Sequence, residues 1–172
     1  NHLIIDTLRL GATVDADGDG FPGANANGDD SEAAPEIDPG DDEDGVTLPT
    51  FIAGRTQDIA ISAANDTTSD ATIQGFIDWN ADGDFDDANE TLMPLTVSAG
   101  DTTYSMNLAQ LVPPDATPGQ TYARFRISTE DGLGSDGDAP NGEVEDYLVE
   151  IVREFDWGDN PDSYGTLAAN NG

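Results

Sequence analysis

The chain has 172 residues, with 36 acidic side chains against five Lys and Arg and a formal net charge of −31. So strong a negative field repels nucleic acid and anionic membrane, and no run approaches the ~18 apolar residues of a membrane span, so no membrane insertion is expected. Cysteine is absent, which excludes disulfides and thiolate metal sites.

The length suits one ordinary domain with an appended linker. Of the acids, 27 are Asp and 9 are Glu; Asp forms turns rather than helices and is a short, stiff oxygen ligand. Uncompensated, this charge pushes a compact state apart. Either bound cations neutralise it, or a hydrated acidic surface serves a high-salt setting. Disorder fits the acidic loops but not the apolar runs between them. The chain begins at Asn1 and reads as an excised fragment, so the lack of a leader carries no weight.

In chain order, residues 2–10, HLIIDTLRL, read as a strand. Residues 11–45 follow without apolar periodicity, rich in Gly, Ala, Asn and Asp, and a loop of that length needs a function or a clamp. Residues 1–45 are therefore expected to form an N-terminal strand and acidic calcium-binding segment. From Val46 to Val152, VTLPTFI, QDIAISAA, TIQGFIDW, ETLMPLTV, TTYSMNLA, QTYARFRIST and EVEDYLVEIV are short segments with β-type alternation or enrichment. Turn clusters such as NDTTSD, SAGD and PPDATPG separate them. The pattern predicts an all-β fold, an antiparallel β-sandwich of the immunoglobulin or jelly-roll kind with long acidic calcium-binding loops. Ile59 and Ile61 are expected inward, as are Phe125 and Ile127, with Arg124 and Arg126 outward and paired with surface acids. Residues 153–172 read as a linker or the start of a next repeat.

The densest acid motif is DWNADGDFDDANE at 78–90. Asp78, Asn80 and Asp82 stand at positions one, three and five, Gly83 at six and Asp84 at seven, the front half of an EF-hand-like loop. Asn89 stands at twelve, so Glu90 or Asp86 is expected to close the site, in a frame entered from a strand rather than a helix. The bland alternative is an acidic, solvated turn. Asp15, Asp17 and Asp19 repeat the spacing in DADGDG, although position twelve is Ala26. DPGDDEDG at 38–45, with Asp42 and Asp44, is an acid cluster without it. In the last strand, Glu143 and Glu145 fall on one face and Asp146 on the other. Three acids in four residues suit a sheet poorly, and a cation shared with a neighbouring loop would account for them. In the tail, Asp156, Asp159 and Asp162 are candidates for a further calcium clamp.

GEVEDY at 142–147, preceded by ARFRIS and FIDWNADGDFDDANE, resembles the GEVED domain of large bacterial surface and secreted proteins over roughly residues 41–152. DWGDNPDSYGT at 156–166 resembles an element that precedes such domains in tandem arrays, with Asn160 in place of the usual Ala. The array order matches the tail of this chain followed by its head, as if it spanned the back of one repeat and the front of the next. The resemblance implies an extracellular or cell-surface, non-enzymatic, adhesin-like module. The expectation is a structural repeat stabilised by several Ca2+ ions and stacked head to tail, its partners being neighbouring copies. A glycan- or protein-binding module using Trp79, Trp157 and the tyrosines is the alternative. An enzyme is disfavoured, since the only His is His2 and carboxylate pairs without split environments discriminate nothing. Residues 2–10, with Ile4, Ile5, Leu8 and Leu10, would be an exposed edge unless a tail covered them.

Overall fold

The computed structural model describes residues 2–14 and 43–154, and their regular structure is all β. β4 (Thr56–Asn65) shows why the alternating segments become strands. Ile59, Ile61 and Ala63 point one way and are buried, while Asp58 and Ala60 point the other way and are exposed. β5 (Ala71–Ile77) is buried along almost its whole length, as a central strand must be. β7 (Tyr104–Leu111), β8 (Gly119–Ser128) and β9 (Glu143–Val152) complete the long strands. β1 (Leu8–Leu10), β2 (Val46–Thr47), β3 (Phe51–Ile52) and β6 (Leu95–Val97) are short.

Two sheets form a sandwich. In the first, β4 carries β7 along one side and β1 and β2, end to end, along the other. The second has the order β3-β9-β8-β5-β6. Pairing is antiparallel throughout except for β3 on β9, which is parallel. Between the sheets lies a core that includes Ile59, Ile61, Ile73, Ile77, Phe125 and Ile127, together with Leu8 and Leu10.

Three expectations are corrected. VTLPTFI is not one strand but two in different sheets, because Pro49 has no N–H to donate and the chain crosses between layers around it. The N-terminal strand covers only Leu8–Leu10; it is a short edge strand that pairs with β4, Leu8 opposite Asn65 and Leu10 opposite Ala63, and both leucines are buried. Residues grouped by sequence with the acidic N-terminal segment thus join the sandwich core. Arg126 does not point into solvent. It is 1% exposed, and its guanidinium donates to the carbonyls of Gly134, Asp136 and Gly137.

Gly75 in β5 leaves room for the side chains of Phe125, its partner on β8, and Leu92. A Cβ built there would lie 2.7 Å from Cε1 of Phe125 and 3.0 Å from Cδ1 of Leu92. Overpacking of this kind costs about 1–3 kcal/mol, so Gly75→Ala is expected to lower stability by that amount in urea unfolding. An unchanged midpoint would show that Phe125 and Leu92 have room to move.

Candidate metal centre

The acidic loop, residues 78–89, is an excursion closed at its base. Ile77 N–H donates to the Glu90 carbonyl at 2.9 Å and Leu92 N–H to Gly75 at 2.9 Å, so the chain returns alongside the strand it left. Two acids face inward and wind the loop. Asp78, 4% exposed, accepts Ala81 N–H (2.6 Å) and Asp82 N–H (3.3 Å) on Oδ1, and Gly83 N–H (3.1 Å) on Oδ2. Glu90, 1% exposed, accepts Trp79 N–H on Oε1 at 3.0 Å and Asp87 N–H on Oε2 at 3.2 Å, tying both limbs to the base. Burial holds the Glu90 carboxyl above its ordinary pKa, an effect the N–H groups of Asp87 and Trp79 offset only in part. Gly83 adopts φ +96° with nothing within 4 Å of a built Cβ; glycine stands there for its conformation, not for space.

With Asp78 and Glu90 turned inward, the outer rim brings Asp82, Asp84 and Asp87 together. Each offers one carboxylate oxygen within 4.8 Å of the others, and all three are exposed. Asn80 sits against them, its amide nitrogen donating to Asp82 Oδ2 at 2.9 Å and to Asp87 Oδ2 at 2.6 Å while its Oδ1 accepts Asp82 N–H. The three convergent carboxylates form an all-oxygen set of the kind hard divalent cations take, with the amide nitrogen of Asn80 bridging two of them.

This differs from the set expected by spacing. Asp82 and Asp84 belong to the group and Asn80 lines it. Asp78 and Glu90 direct their oxygens to backbone N–H groups, and Asp86 is outside it, with Asp87 in its place. The Asp86-Asp87 doublet is the signal that was available, but only the path of the turn decides which of two adjacent acids faces in. Trp79 is buried beneath the loop, its Nε1–H donating to the Asn89 carbonyl and its ring edge-on to Phe51 at 5.0 Å. It offers no stacking face for a sugar.

The three acids of the last strand receive an account different from the shared cation. β1 and β2 both end at Ser62 of β4. The Ser62 carbonyl accepts Gly11 N–H and the Ser62 N–H donates to the Gly45 carbonyl. Gly45 N–H therefore has no carbonyl opposite it, and Leu10 N–H points away from β4. Two buried carboxylates from the other sheet meet these groups across the interior. Glu143 Oε2 accepts Leu10 N–H at 2.6 Å and Glu145 Oε1 accepts Gly45 N–H at 3.0 Å. Tyr147 O–H donates to Glu145 Oε2 at 2.8 Å and accepts Val46 N–H at 3.0 Å. Burial, then the Glu145 carboxylate, drive the Tyr147 phenol far above its ordinary pKa. Asp146, on the opposite face, takes a two-point ion pair from Arg124, Nε to Oδ1 at 2.7 Å and Nη2 to Oδ2 at 2.6 Å. Asp44 accepts Ala12 N–H and the Thr13 hydroxyl, fastening the chain that leaves β1. Asp15, Asp17, Asp19, Asp42, Asp156, Asp159 and Asp162 lie outside the described residues.

The fold and these contacts define a class, an all-β sandwich whose last strand reaches across the core with carboxylates. Residues 72–150, from within β5 to within β9, match the family model of the GEVED domain. The glutamates of GEVED itself are the two that clamp Leu10 and Gly45. No curated protein matches the chain.

A hydrogen bond to a buried charged acceptor is worth about 1.5–3 kcal/mol. Glu143→Ala and Glu145→Ala are each expected to lose about that much in chemical denaturation, Glu→Gln less, and by the same amount in calcium as in chelator. A loss seen only in calcium would make the two residues metal ligands instead of clamps.

His2 makes a second long-range tie. Nδ1–H donates to the Asn141 carbonyl at 3.1 Å and Nε2 accepts from Arg126 Nε at 3.0 Å, which requires the neutral ring. Burial, then the Arg126 charge, lower its pKa from 6.5 to about 4. Because the undocked ring binds a proton more readily, this contact is at full strength above about pH 6.5. It weakens as pH falls to about 4, with no further loss below. A proton NMR titration of the single imidazole is expected to show the midpoint near 4; one near 6.5 would mean that His2 is not held on Arg126.

Proposed function

We propose that this chain is a calcium-stabilised structural repeat of a bacterial extracellular adhesin or surface fibre, without enzymatic activity, stacking head to tail with neighbouring repeats. The observation that carries the reading is the convergence of Asp82, Asp84 and Asp87 on the rim of a loop wound by two buried acids within a GEVED domain. A hard dication held by Asp82, Asp84 and Asp87, with Asn80 beside them, would relieve the repulsion of three carboxylates crowded on one turn. It would also give part of a −31 chain its counter-charge. The use of the GEVED glutamates to hold one sheet to the other suits a load-bearing module better than a catalyst. A glycan-binding role draws no support from Trp79, which is buried.

A ligand that binds only the native state adds RT ln(1 + [L]/Kd), about 4 kcal/mol at a thousandfold excess over Kd. Thermal unfolding with calcium and with chelator at equal ionic strength is expected to differ by an amount of that order. Asp82→Ala should abolish the difference, and Asp115→Ala, in a Pro-rich turn, should leave it intact. A melting temperature indifferent to chelation, but raised by monovalent salt, would support a halophilic acidic surface in place of a metal site. For the stacking, analytical ultracentrifugation of the chain against one truncated after Val152 is the test. Equal assembly of the two would reduce the tail to a linker.

A further inference from the structure

The edges of the two sheets are unequal. β1, β2, β3 and β6 span three residues or fewer, and short edge strands resist pairing with other chains. β7 is the exception. It runs for eight residues, Tyr104–Leu111, and among the described residues it pairs with β4 alone. It has no proline and no charge, and residues 102–114 hold no Asp, Glu, Lys or Arg although a quarter of the chain is charged. Proteins usually guard a long edge with charge, proline or a bulge. Here the charges stand on the central strands β8 and β9, and the long edge is bare.

The register shows what the edge offers. Gly11 N–H and the Gly45 carbonyl both bond Ser62, so the even-numbered residues of β4 face β1 and β2. Its odd-numbered residues therefore bond β7, through Tyr104, Met106, Leu108 and Gln110. Ser105, Asn107, Ala109 and Leu111 turn N–H and C=O outward, and all four are exposed. These positions are self-complementary. Two copies of β7 running antiparallel about a two-fold axis at Leu108 set Ser105 against Leu111 and Asn107 against Ala109, so each outward N–H and C=O faces one on the other strand; the Leu111 carbonyl, which already accepts Gln110 Nε2, would take a second donor. Leu111 and Met106, 58% and 39% exposed, gain cover on either face.

Charge selects the occupant. Two copies at −31 repel over most of their surfaces, but this edge opposes no acids. The nearest in-register acid on β4 is Asp58, opposite Ala109. Across three strand spacings the two Asp58 side chains lie at least ~14 Å apart, beyond the screening length of ~8 Å at physiological salt.

We infer that β7 is a lateral self-association edge, on which a second copy of this chain adds its own β7 antiparallel to extend the first sheet across a two-fold dimer. This contact is independent of the metal site and of head-to-tail stacking. The experiment pairs sedimentation of the full chain over a concentration series with amide hydrogen exchange at low and high concentration. Tyr104, Met106, Leu108 and Gln110 should be protected throughout, and Ser105, Asn107, Ala109 and Leu111 only where the dimer forms. Asn107→Pro, which deletes an outward N–H and no bond to β4, should weaken dimerisation about tenfold or more. Thr96→Pro on the β6 edge should leave the dimer unchanged. Three results would overturn the inference: a dimer indifferent to Asn107→Pro, outward amides already protected in the monomer, or a chain that stays monomeric with those amides in free exchange. If the proline variant does not fold, the exchange pattern of the natural chain decides alone.

Discussion

The structure depends on two carboxylates that cross its core. β1 and β2 lie end to end along β4 and share one residue, Ser62, whose carbonyl is taken by Gly11, so Gly45 N–H has no strand partner, and Leu10 N–H points away from β4. A buried N–H without an acceptor costs about 1–3 kcal/mol. Glu143 and Glu145 supply the acceptors from the opposite sheet. Their burial would be costly if they were bare, but a charged acceptor that meets an N–H forms a stronger bond than a neutral pair. The clamp also joins the N-terminal strand to the last strand, and so sets the relation of the two sheets.

The same chemistry shapes the loop at 78–89 together with Glu90 at its base. Six carboxylates cannot all be solvated and also follow one tight turn. Asp78 and Glu90 are spent on backbone N–H groups, which neutralise them locally and hold the loop against Trp79. The remaining acids are left on the rim, where Asp82, Asp84 and Asp87 meet. Backbone capping and oxygen-ligand presentation are thus divided between inner and outer acids of one motif.

The cationic side chains are few and used fully. Arg124 pairs with Asp146 on the outer face of the second sheet, and the Asp146 hydrogen bond holds its guanidinium above its ordinary pKa. Arg126 donates to the carbonyls of Gly134, Asp136 and Gly137 and to His2, so one guanidinium fastens an acidic loop and the N-terminal segment to β8. Burial lowers its pKa, yet Arg stays protonated at any ordinary pH.

Much of this was legible in the sequence because alternation is a local property. Ile59 and Ile61, Phe125 and Ile127, and Glu143 with Glu145 each share a face whatever the partner strands are. The seven apolar segments, the β-sandwich and the resemblance carried by GEVEDY all follow from residue order within about ten positions. What the order left open was set by contacts distant in sequence. That Arg126 is buried depends on a loop folding over β8, and that Glu143 and Glu145 bond N–H groups depends on two strand ends meeting at Ser62, neither of which periodicity encodes. The choice of Asp87 over Asp86, and the withdrawal of Asp78 and Glu90 from the rim, required the closed path of the loop, because adjacent residues differ only in the direction the turn gives them. Sequence determined which side chains can share a face; tertiary structure decided which backbone groups were left without partners, and so where the acids had to go.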